Sequence, residues 1–239
     1  NAAEKIICHM SADKLDILYF DSYIKNELDI EITDNFYDRV HRVIEKVSTG
    51  REYFVDNYPK AYVVQPCMVA FRTEFLKREN ITFPEHMIFE DAVFSFKAMI
   101  SAERVKYISD KLYVRRYRPN STMTKQMTYK DYRDIYNAHM MCWEHMLVVE
   151  NTVDDQVLNS FRIYLIRSYW EMKRYLGKLT DITTDLYMDE NNKLGQSFLS
   201  MWDRFIKQDQ RYITLSLLSC VCRLIQGLDM EKDHCLYRY

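Results

Sequence analysis

The sequence predicts a mixed α/β front half followed by an all-helical back half, and two observations support this fold class. Two apolar runs rich in strand-forming residues, LDILYFDSYI at 15–24 and AYVVQPCMVAF at 61–71, alternate with helical stretches in the first half. After residue 128 the long segments carry apolar residues at three- and four-residue spacings instead. We therefore expect two domains, 1–126 and 127–239.

The front half contains several further predicted elements. A helix is expected around 3–12 and one or two short helices over 35–47, and RTEFLKREN predicts another short helix. Pro66 weakens the second apolar run as a strand or makes it an edge strand. RVKYIS at 104–109 and KLYVRRYR at 111–118 predict two strands that meet at Ser109 and Asp110.

The back half predicts four helices. Their segments are MTYKDYRDIYNAHMMCWEHMLVVE, VDDQVLNSFRIYLIRSYWEMKRYLGKL, QSFLSMWDRFIKQ and YITLSLLSCVCRLIQGL. Thr152 with the acids at 154 and 155 suits a helix start, and Gly177 and Gly227 suit helix ends. The bulky stripes predict core packing, with a partner-binding surface as the alternative. They consist of Tyr132, Ile135, Tyr136, His139, Trp143 and Met146 on the first helix, and of Phe161, Tyr164, Leu165, Ser168, Tyr169 and Met172 on the second.

Composition narrows the function classes. The formal net charge is −2, so no global basic field favours nucleic acid. With only four glycines, the chain has no G-x-G-x-x-G or G-x-x-x-x-G-K loop, so a diphosphate must be held by side chains, a metal or another segment. None of the six cysteines forms a C-x-x-C pair, which favours free thiols in a reducing cytoplasm. No secretory signal is recognisable, and the apolar run 212–225 is too short to span a bilayer.

Glu90 and Asp91 form an acidic pair at the start of a predicted amphipathic helix, whose apolar face includes Val93 and Phe96. Acids at a helix N-terminus are favoured by capping and by the helix dipole without any function. The functional alternative is a general base that faces an acceptor hydroxyl.

The predicted strand 111–118 ends in three arginines. By strict alternation, Arg116 and Arg118 continue the face that begins at Leu112, which directs them toward the interior edge, while Arg115 lies on the other face. Guanidinium groups match phosphate oxygens, and the hydroxyl of Ser121 in the following turn adds a donor. The alternative is a solvated basic edge strand that discourages aggregation.

The order of elements in FLKRENITFPEHMIFEDAVFSFKAMISAERVKYISDKLYVRRYRPNSTMT resembles the later part of bacterial family-2 glycosyltransferases with the GT-A fold. The resemblance covers roughly residues 10–125 and implies a partial GT-A-type mixed sheet. It implies that Asp91 is the catalytic base and Glu90 its partner, and that Arg116, Arg118 and Ser121 close over the donor diphosphate. Arg115 stands where the family usually has an aromatic residue. His86 is a further candidate for the acceptor cleft.

The family's first half, with its nucleotide-binding strand and metal-binding D-x-D, is not present. Asp29 and Glu31 make a D-x-E, but they follow the strand at 15–24 and are interpreted as solvated loop acids. We therefore expect the C-terminal portion of a longer enzyme, without nucleotide or metal sites of its own and inactive alone. Its Mn²⁺ or Mg²⁺, nucleotide-sugar donor and glycan acceptor would belong to the full-length enzyme.

Two further expectations concern location and alternatives. The resemblance implies a cytoplasmic enzyme of surface or exopolysaccharide synthesis, with peripheral attachment to the inner membrane face or homo-oligomer formation through the helical domain left open. The alternative function is a non-catalytic helical interaction module whose α/β front half is a vestige.

Overall fold

The computed structural model describes residues 1–32, 45–59, 61–117 and 125–207. Within them, a three-stranded sheet has the order β2-β1-β3, with β1 at Ile17–Lys25, β2 at Val69–Phe71 and β3 at Val105–Arg116. β1 pairs antiparallel with β2 and parallel with β3. The predicted α/β portion followed by helices is confirmed.

Seven α-helices accompany this sheet in the described part of the chain. They are α1 (Ala2–Ala12), α2 (Gly50–Asn57), α3 (Thr73–Arg78), α4 (Glu90–Ser101), α5 (Tyr129–Val149), α6 (Asp155–Leu176) and α7 (Thr184–Lys207). Capping boxes begin α1, α2 and α5, and Asp154 caps α6 through the backbone N–H groups of residues 156 and 157. α7 begins twelve residues earlier than the predicted helix at 196–208. The predicted helix over 35–47 lies mostly outside the described residues, as does the one at 212–228.

Two predicted elements of the front half differ in the structure. The run 61–71 contributes only a 3₁₀ turn at Pro66–Met68 and the short edge strand β2, in keeping with the proline. The predicted pair of strands meeting at Ser109 and Asp110 is wrong, because β3 runs unbroken through both residues. The polar groups of both residues have partners outside the sheet. Ser109 donates to Glu45 Oε1 through its N–H (2.9 Å) and its hydroxyl (2.6 Å), and Asp110 forms an ion pair with Lys5.

The main hydrophobic core joins the front and back halves. Phe54 of α2 and Phe96 of α4 meet Phe161 and Tyr164 of α6, with the ring centroids of Phe96 and Tyr164 4.9 Å apart. A smaller core, which includes Leu18, packs with α1. The division into two domains near residue 126 stays a prediction, and the described front and back elements share one core.

The aromatic and apolar stripes of α5 and α6 belong to this core. All twelve stripe positions are buried, which confirms the core-packing interpretation over the partner-binding one. Among the described helices, none combines the length and the apolar character that a bilayer crossing requires. The apolar run 212–225 lies outside the described residues.

Candidate functional site

The candidate site is built around the first turn of α4. Phe89 precedes this helix in a left-handed conformation (φ 65°, ψ 20°), and its side chain provides no cap. Glu90 and Asp91 follow, as predicted, where negative charge interacts favourably with the helix dipole. Val93 and Phe96 behind them are buried, so that the acidic pair lies at the end of a helix anchored in the core.

Several contacts fix α4 against its neighbours. The buried hydroxyl of Ser95 donates to the carbonyl oxygen of Val64 at 2.6 Å. The thiol of Cys142 on α5 contacts the carbonyl oxygen of Ala92 at 3.9 Å. The first two turns of α4 are therefore held from two sides, by the segment before β2 and by α5.

Asp91 is half-buried, and its surroundings act on its pKa in both directions. Burial raises the pKa of this carboxyl, and the adjacent charge of Glu90 raises it further. The backbone N–H groups of Ala92 and Asp91 and the positive charge of Arg115 oppose the shift, but the pKa remains above the ordinary aspartate value. A carboxylate of raised pKa is a stronger base than a solvated one, which is what proton abstraction requires.

The residues around Asp91 come from two other segments. Cys67 lies in the 3₁₀ turn before β2, and Tyr113 and Arg115 lie near the end of β3. Burial raises the pKa of the Cys67 thiol, whereas Arg115 and a hydrogen bond from the Tyr113 hydroxyl oppose the rise. Asp91 also acts electrostatically on Cys67. Asp91, Cys67, Tyr113 and Arg115, hereafter the Asp91 cluster, thus combine one carboxylate, one guanidinium and two neutral polar groups.

Tyr62 lies beside this cluster and is buried. Its hydroxyl has no hydrogen-bond partner among the described residues. Burial holds the pKa of Tyr62 well above its ordinary value, with smaller contributions from its neighbours Tyr19, Cys142 and Asp91. The raised pKa favours the protonated, neutral phenol.

The other predicted site residues differ in how far they are exposed and in whether the structure describes them. Glu90 is half-buried next to Asp91. The His86 side chain is 93% exposed, with its Nε2 atom 3.7 Å from Glu85 Oε2. Arg116 is exposed, whereas Arg118 and Ser121 lie outside the described residues.

The prediction that Val114 and Arg116 lie on an inward-facing side of β3 is wrong. Val114 is 54% exposed and Arg116 is also exposed, while Arg115 is half-covered and acts on Asp91. The pairing of β3 with β1 is irregular up to Tyr113, so alternation counted from Leu112 does not carry through to the end of the strand.

Three members of the cluster were not among the predicted site residues. Arg115 was visible in the sequence, but its departure from the family pattern and the assumed alternation both argued against it. Cys67 and Tyr113 carry no sequence signal of their own. Their role follows only from the folding of the 3₁₀ turn against the end of β3.

Within residues 1–32, 45–59, 61–117 and 125–207, metal-binding groups do not assemble around the Asp91 cluster. Within the described residues, no three His, Cys, Asp or Glu side chains are placed to hold a metal ion together. Asp29 pairs with Lys25 at 2.9 Å, and Glu31 lies 3.9 Å from Lys111. Both acids are exposed, as expected for solvated loop residues, and they do not fit a divalent-cation site.

Comparison with known proteins gives only remote similarity. No protein-family model and no curated protein matches the chain. The crystal structure of S. aureus TarS 1-349 with UDP-GlcNAc aligns with 94% of this chain and 64% of its own, at 14% identity and a TM-score of 0.41. The structure of S. aureus TarS 1-349 without ligand aligns with 87% of this chain and 63% of its own, at 15% identity and a TM-score of 0.39. The structure of the same TarS fragment with UDP aligns with 89% of this chain and 64% of its own, at 15% identity and a TM-score of 0.38.

The chain therefore spans less than two thirds of the TarS chains that it matches. Similarity at this level assigns neither a fold family nor a function. The function has to follow from the residues of this chain.

Proposed function

We propose that this chain supplies the acceptor side of an inverting glycosyltransferase that uses a nucleotide-sugar donor and a glycan or lipid-linked acceptor, in surface or exopolysaccharide synthesis. The observation that carries the proposal is the state of Asp91. It is a half-buried carboxylate with a raised pKa at a helix N-terminus, next to a guanidinium. The resemblance of the motif order around EDAVF and YVRRYR supports the same function.

In the proposed reaction, the Asp91 carboxylate takes the proton of an acceptor hydroxyl. The hydroxyl oxygen forms a bond to the anomeric carbon of the donor sugar while the bond from that carbon to the diphosphate oxygen breaks. The nucleoside diphosphate leaves with the electron pair, and the configuration inverts. Positive charge near the leaving group lowers the barrier, and Arg115 is the arginine that lies near Asp91 in the described part of the chain.

The other predicted roles remain part of the proposal. Glu90 would orient Asp91, and Arg116, Arg118 and Ser121 would contact the donor diphosphate. Because no divalent-cation site forms among the described residues, Mn²⁺ or Mg²⁺ would need ligands from a segment other than these.

The substitution Asp91→Asn tests the role of the base. In the gene product that carries this chain, assayed against a panel of nucleotide sugars, we expect kcat to fall about 10²- to 10⁴-fold with little change in donor affinity. Asp185→Asn, which neutralises an exposed carboxylate in the first turn of α7, serves as the comparison for a general effect of surface charge. Normal turnover of Asp91→Asn would refute the assignment, and turnover by residues 1–239 alone would refute the expected dependence on a donor-binding segment.

The alternative of a non-catalytic helical module has no comparable support. The aromatic stripes of α5 and α6 that would have formed its binding surface are buried in the core. Trp143, for example, is buried, and its indole N–H donates to Ser168 Oγ at 2.8 Å.

A further inference from the structure

The turn that leads into α4 has an unusual backbone. His86 and Phe89 have φ angles of 62° and 65°, although neither is glycine. For an L-residue a left-handed conformation is unfavourable, and for a bulky residue such as Phe it is a clear outlier. Phe89 is the residue immediately before α4 and His86 lies three residues earlier, so the turn 86–89 sets the direction in which the chain enters α4.

A buried carboxylate from α5 holds this turn. Asp134 Oδ2 accepts a hydrogen bond from the backbone N–H of Ile88 at 3.2 Å. Ile88 lies between the two left-handed residues, and Asp134 is only 8% exposed. The ammonium group of Lys130, one helical turn earlier, lies 3.3 Å from the same oxygen. The acceptor is thus charged, largely shielded from water and fixed on a long helix, which makes it a strong anchor.

The local sequence of the turn offers no equivalent anchor. The Phe89 side chain cannot accept a hydrogen bond, and α4 begins without a side-chain cap. The other contacts of the turn are the packing of Met87 and Phe89 against the main core and the hydrogen bond from the Ala92 N–H to the Phe89 carbonyl oxygen at 3.2 Å. A strained segment persists only where surrounding structure determines it, and here the charged hydrogen-bond acceptor in that structure comes from α5.

We propose that Asp134 is a positioning residue of the candidate site: its carboxylate holds the strained turn 86–89 and thereby directs Asp91 toward Cys67, Tyr113 and Arg115. The catalytic meaning of this contact rests on the proposed function of Asp91. The contact itself does not, because it links one backbone N–H to one carboxylate.

Asp131 offers a matched control on the same helix. It is 4% exposed, lies three residues before Asp134 and pairs with Lys125 at 2.8 Å. Its carboxylate also accepts hydrogen bonds from the N–H and the hydroxyl of Thr128 in the capping box of α5. Asp131→Ala therefore removes a buried, lysine-paired carboxylate from α5 without removing the anchor of the turn.

The test measures two properties by NMR in the folded protein without any substrate: the hydrogen-exchange rate of the Ile88 amide and the pKa of the Asp91 carboxyl. In Asp134→Ala, we expect Ile88 exchange to accelerate by about tenfold or more, because a half-buried donor loses a charged acceptor. The pKa of Asp91 should fall toward the ordinary aspartate value as the released turn exposes the carboxyl to water. Asp134→Asn retains an acceptor oxygen of the same shape and should restore both properties. Asp131→Ala should leave both as in the wild type.

Two outcomes would overturn the inference: wild-type values for both properties in Asp134→Ala, or equal shifts in Asp134→Asn and Asp134→Ala, which would indicate an effect of charge alone. If Asp134→Ala does not fold, Phe89→Gly provides a second test, because glycine adopts a φ of 65° without strain. Asp134→Ser should then lower the urea midpoint less in the Phe89→Gly background than in the wild type. Equal losses in the two backgrounds would also overturn the inference.

These results are separable from those for the proposed function. If Asp134→Ala shifts the titration of Asp91 while Asp91→Asn keeps full turnover, the anchor stands and the proposed function fails. The converse result would leave Asp91 as the base and remove Asp134 from its support.

Discussion

Two glycine-to-alanine substitutions should change the stability of this protein in opposite directions, because the two glycines have opposite surroundings. Gly50 begins α2, is buried, and donates its N–H to the carbonyl oxygen of Ala102 at 2.8 Å. Gly195 lies inside α7. The same chemical change therefore tests a close backbone contact at one site and intrinsic helix propensity at the other.

At Gly50 an added Cβ atom would lie 1.7 Å from the carbonyl oxygen of Met99, 2.9 Å from the Met99 carbonyl carbon and 3.2 Å from the oxygen of Ala102. These are backbone atoms at the end of α4, so the clash cannot be relieved by a side-chain rotation. Restoring an ordinary contact requires α2 or α4 to move by more than about 1 Å. Overpacking costs about 1–3 kcal/mol, and a backbone obstacle places Gly50→Ala at the upper end of that range.

At Gly195 an added Cβ atom would meet nothing within 4 Å. Alanine is favoured over glycine inside a helix by about 0.5–1 kcal/mol, so Gly195→Ala should stabilise the protein by that amount. The two variants should consequently differ by about 3–4 kcal/mol in the free energy of unfolding.

Urea denaturation followed by far-UV circular dichroism measures both values against the wild type. The reasoning would be refuted by a Gly50→Ala protein within about 0.5 kcal/mol of the wild type, the range of unremarkable surface substitutions. A destabilised Gly195→Ala would separately contradict the open surroundings of α7 at that position.

Two pH-dependent predictions follow from the shifted groups. The pKa of Asp91 is raised in the folded state, so ionisation of this carboxyl lowers the stability of the protein as pH rises from 3.8 through the folded pKa. Asp91→Asn should therefore have a higher urea midpoint than the wild type at pH 7, and this difference should disappear below pH 3.8. A lower midpoint at pH 7 would contradict this. For His145, burial and then the charges of Lys97 and Arg51 lower the pKa to about 4, so stability should be lost as pH falls from 6.5 to 4. Lys97→Met should raise the pKa of His145 in an NMR titration, and an unchanged value would contradict the assigned cause.

Much of the helical framework could be predicted from periodicity and capping chemistry. α5 and α6 show continuous apolar stripes, and Gly177 ends α6 as predicted. The start of α7 was missed because its first twelve residues, TDLYMDENNKLG, are mostly polar. That segment is helical in the structure, with Leu194 buried against the core and Tyr129 of α5 donating to Glu190 at 2.7 Å. Tertiary contacts of this kind override a weak local pattern.

The acidic pair of the site could also be predicted, because two carboxylates before an amphipathic run mark a helix N-terminus whatever their function. The raised pKa of Asp91 could not be predicted from the sequence. It depends on partial burial and on Arg115, which lies twenty-four residues further along the chain. The anchor at Asp134 could not be predicted either, since within its own helix this residue is only an acid paired with Lys130 one turn earlier.

The choice between the two neighbouring arginines of β3 follows from the pairing of the sheet. From the pair Tyr19–Tyr107 to the pair Ser22–Tyr113, β1 advances by three residues while β3 advances by six. Extra residues of this kind locally disrupt the ladder and bend the strand, so simple alternation fails across them.

Beyond this irregularity the pairing is regular, and exposure follows it. Val114 lies opposite Tyr23, and both are exposed, whereas Arg115 lies opposite the buried Ile24 and is itself half-covered. Arg115 is consequently on the covered side, where its charge acts on Asp91, and Arg116 is on the open side beside Lys25. Three additional residues in β3 thus determine that Arg115, and not Arg116, lies on the side of Asp91. The sequence of the arginines alone does not show this.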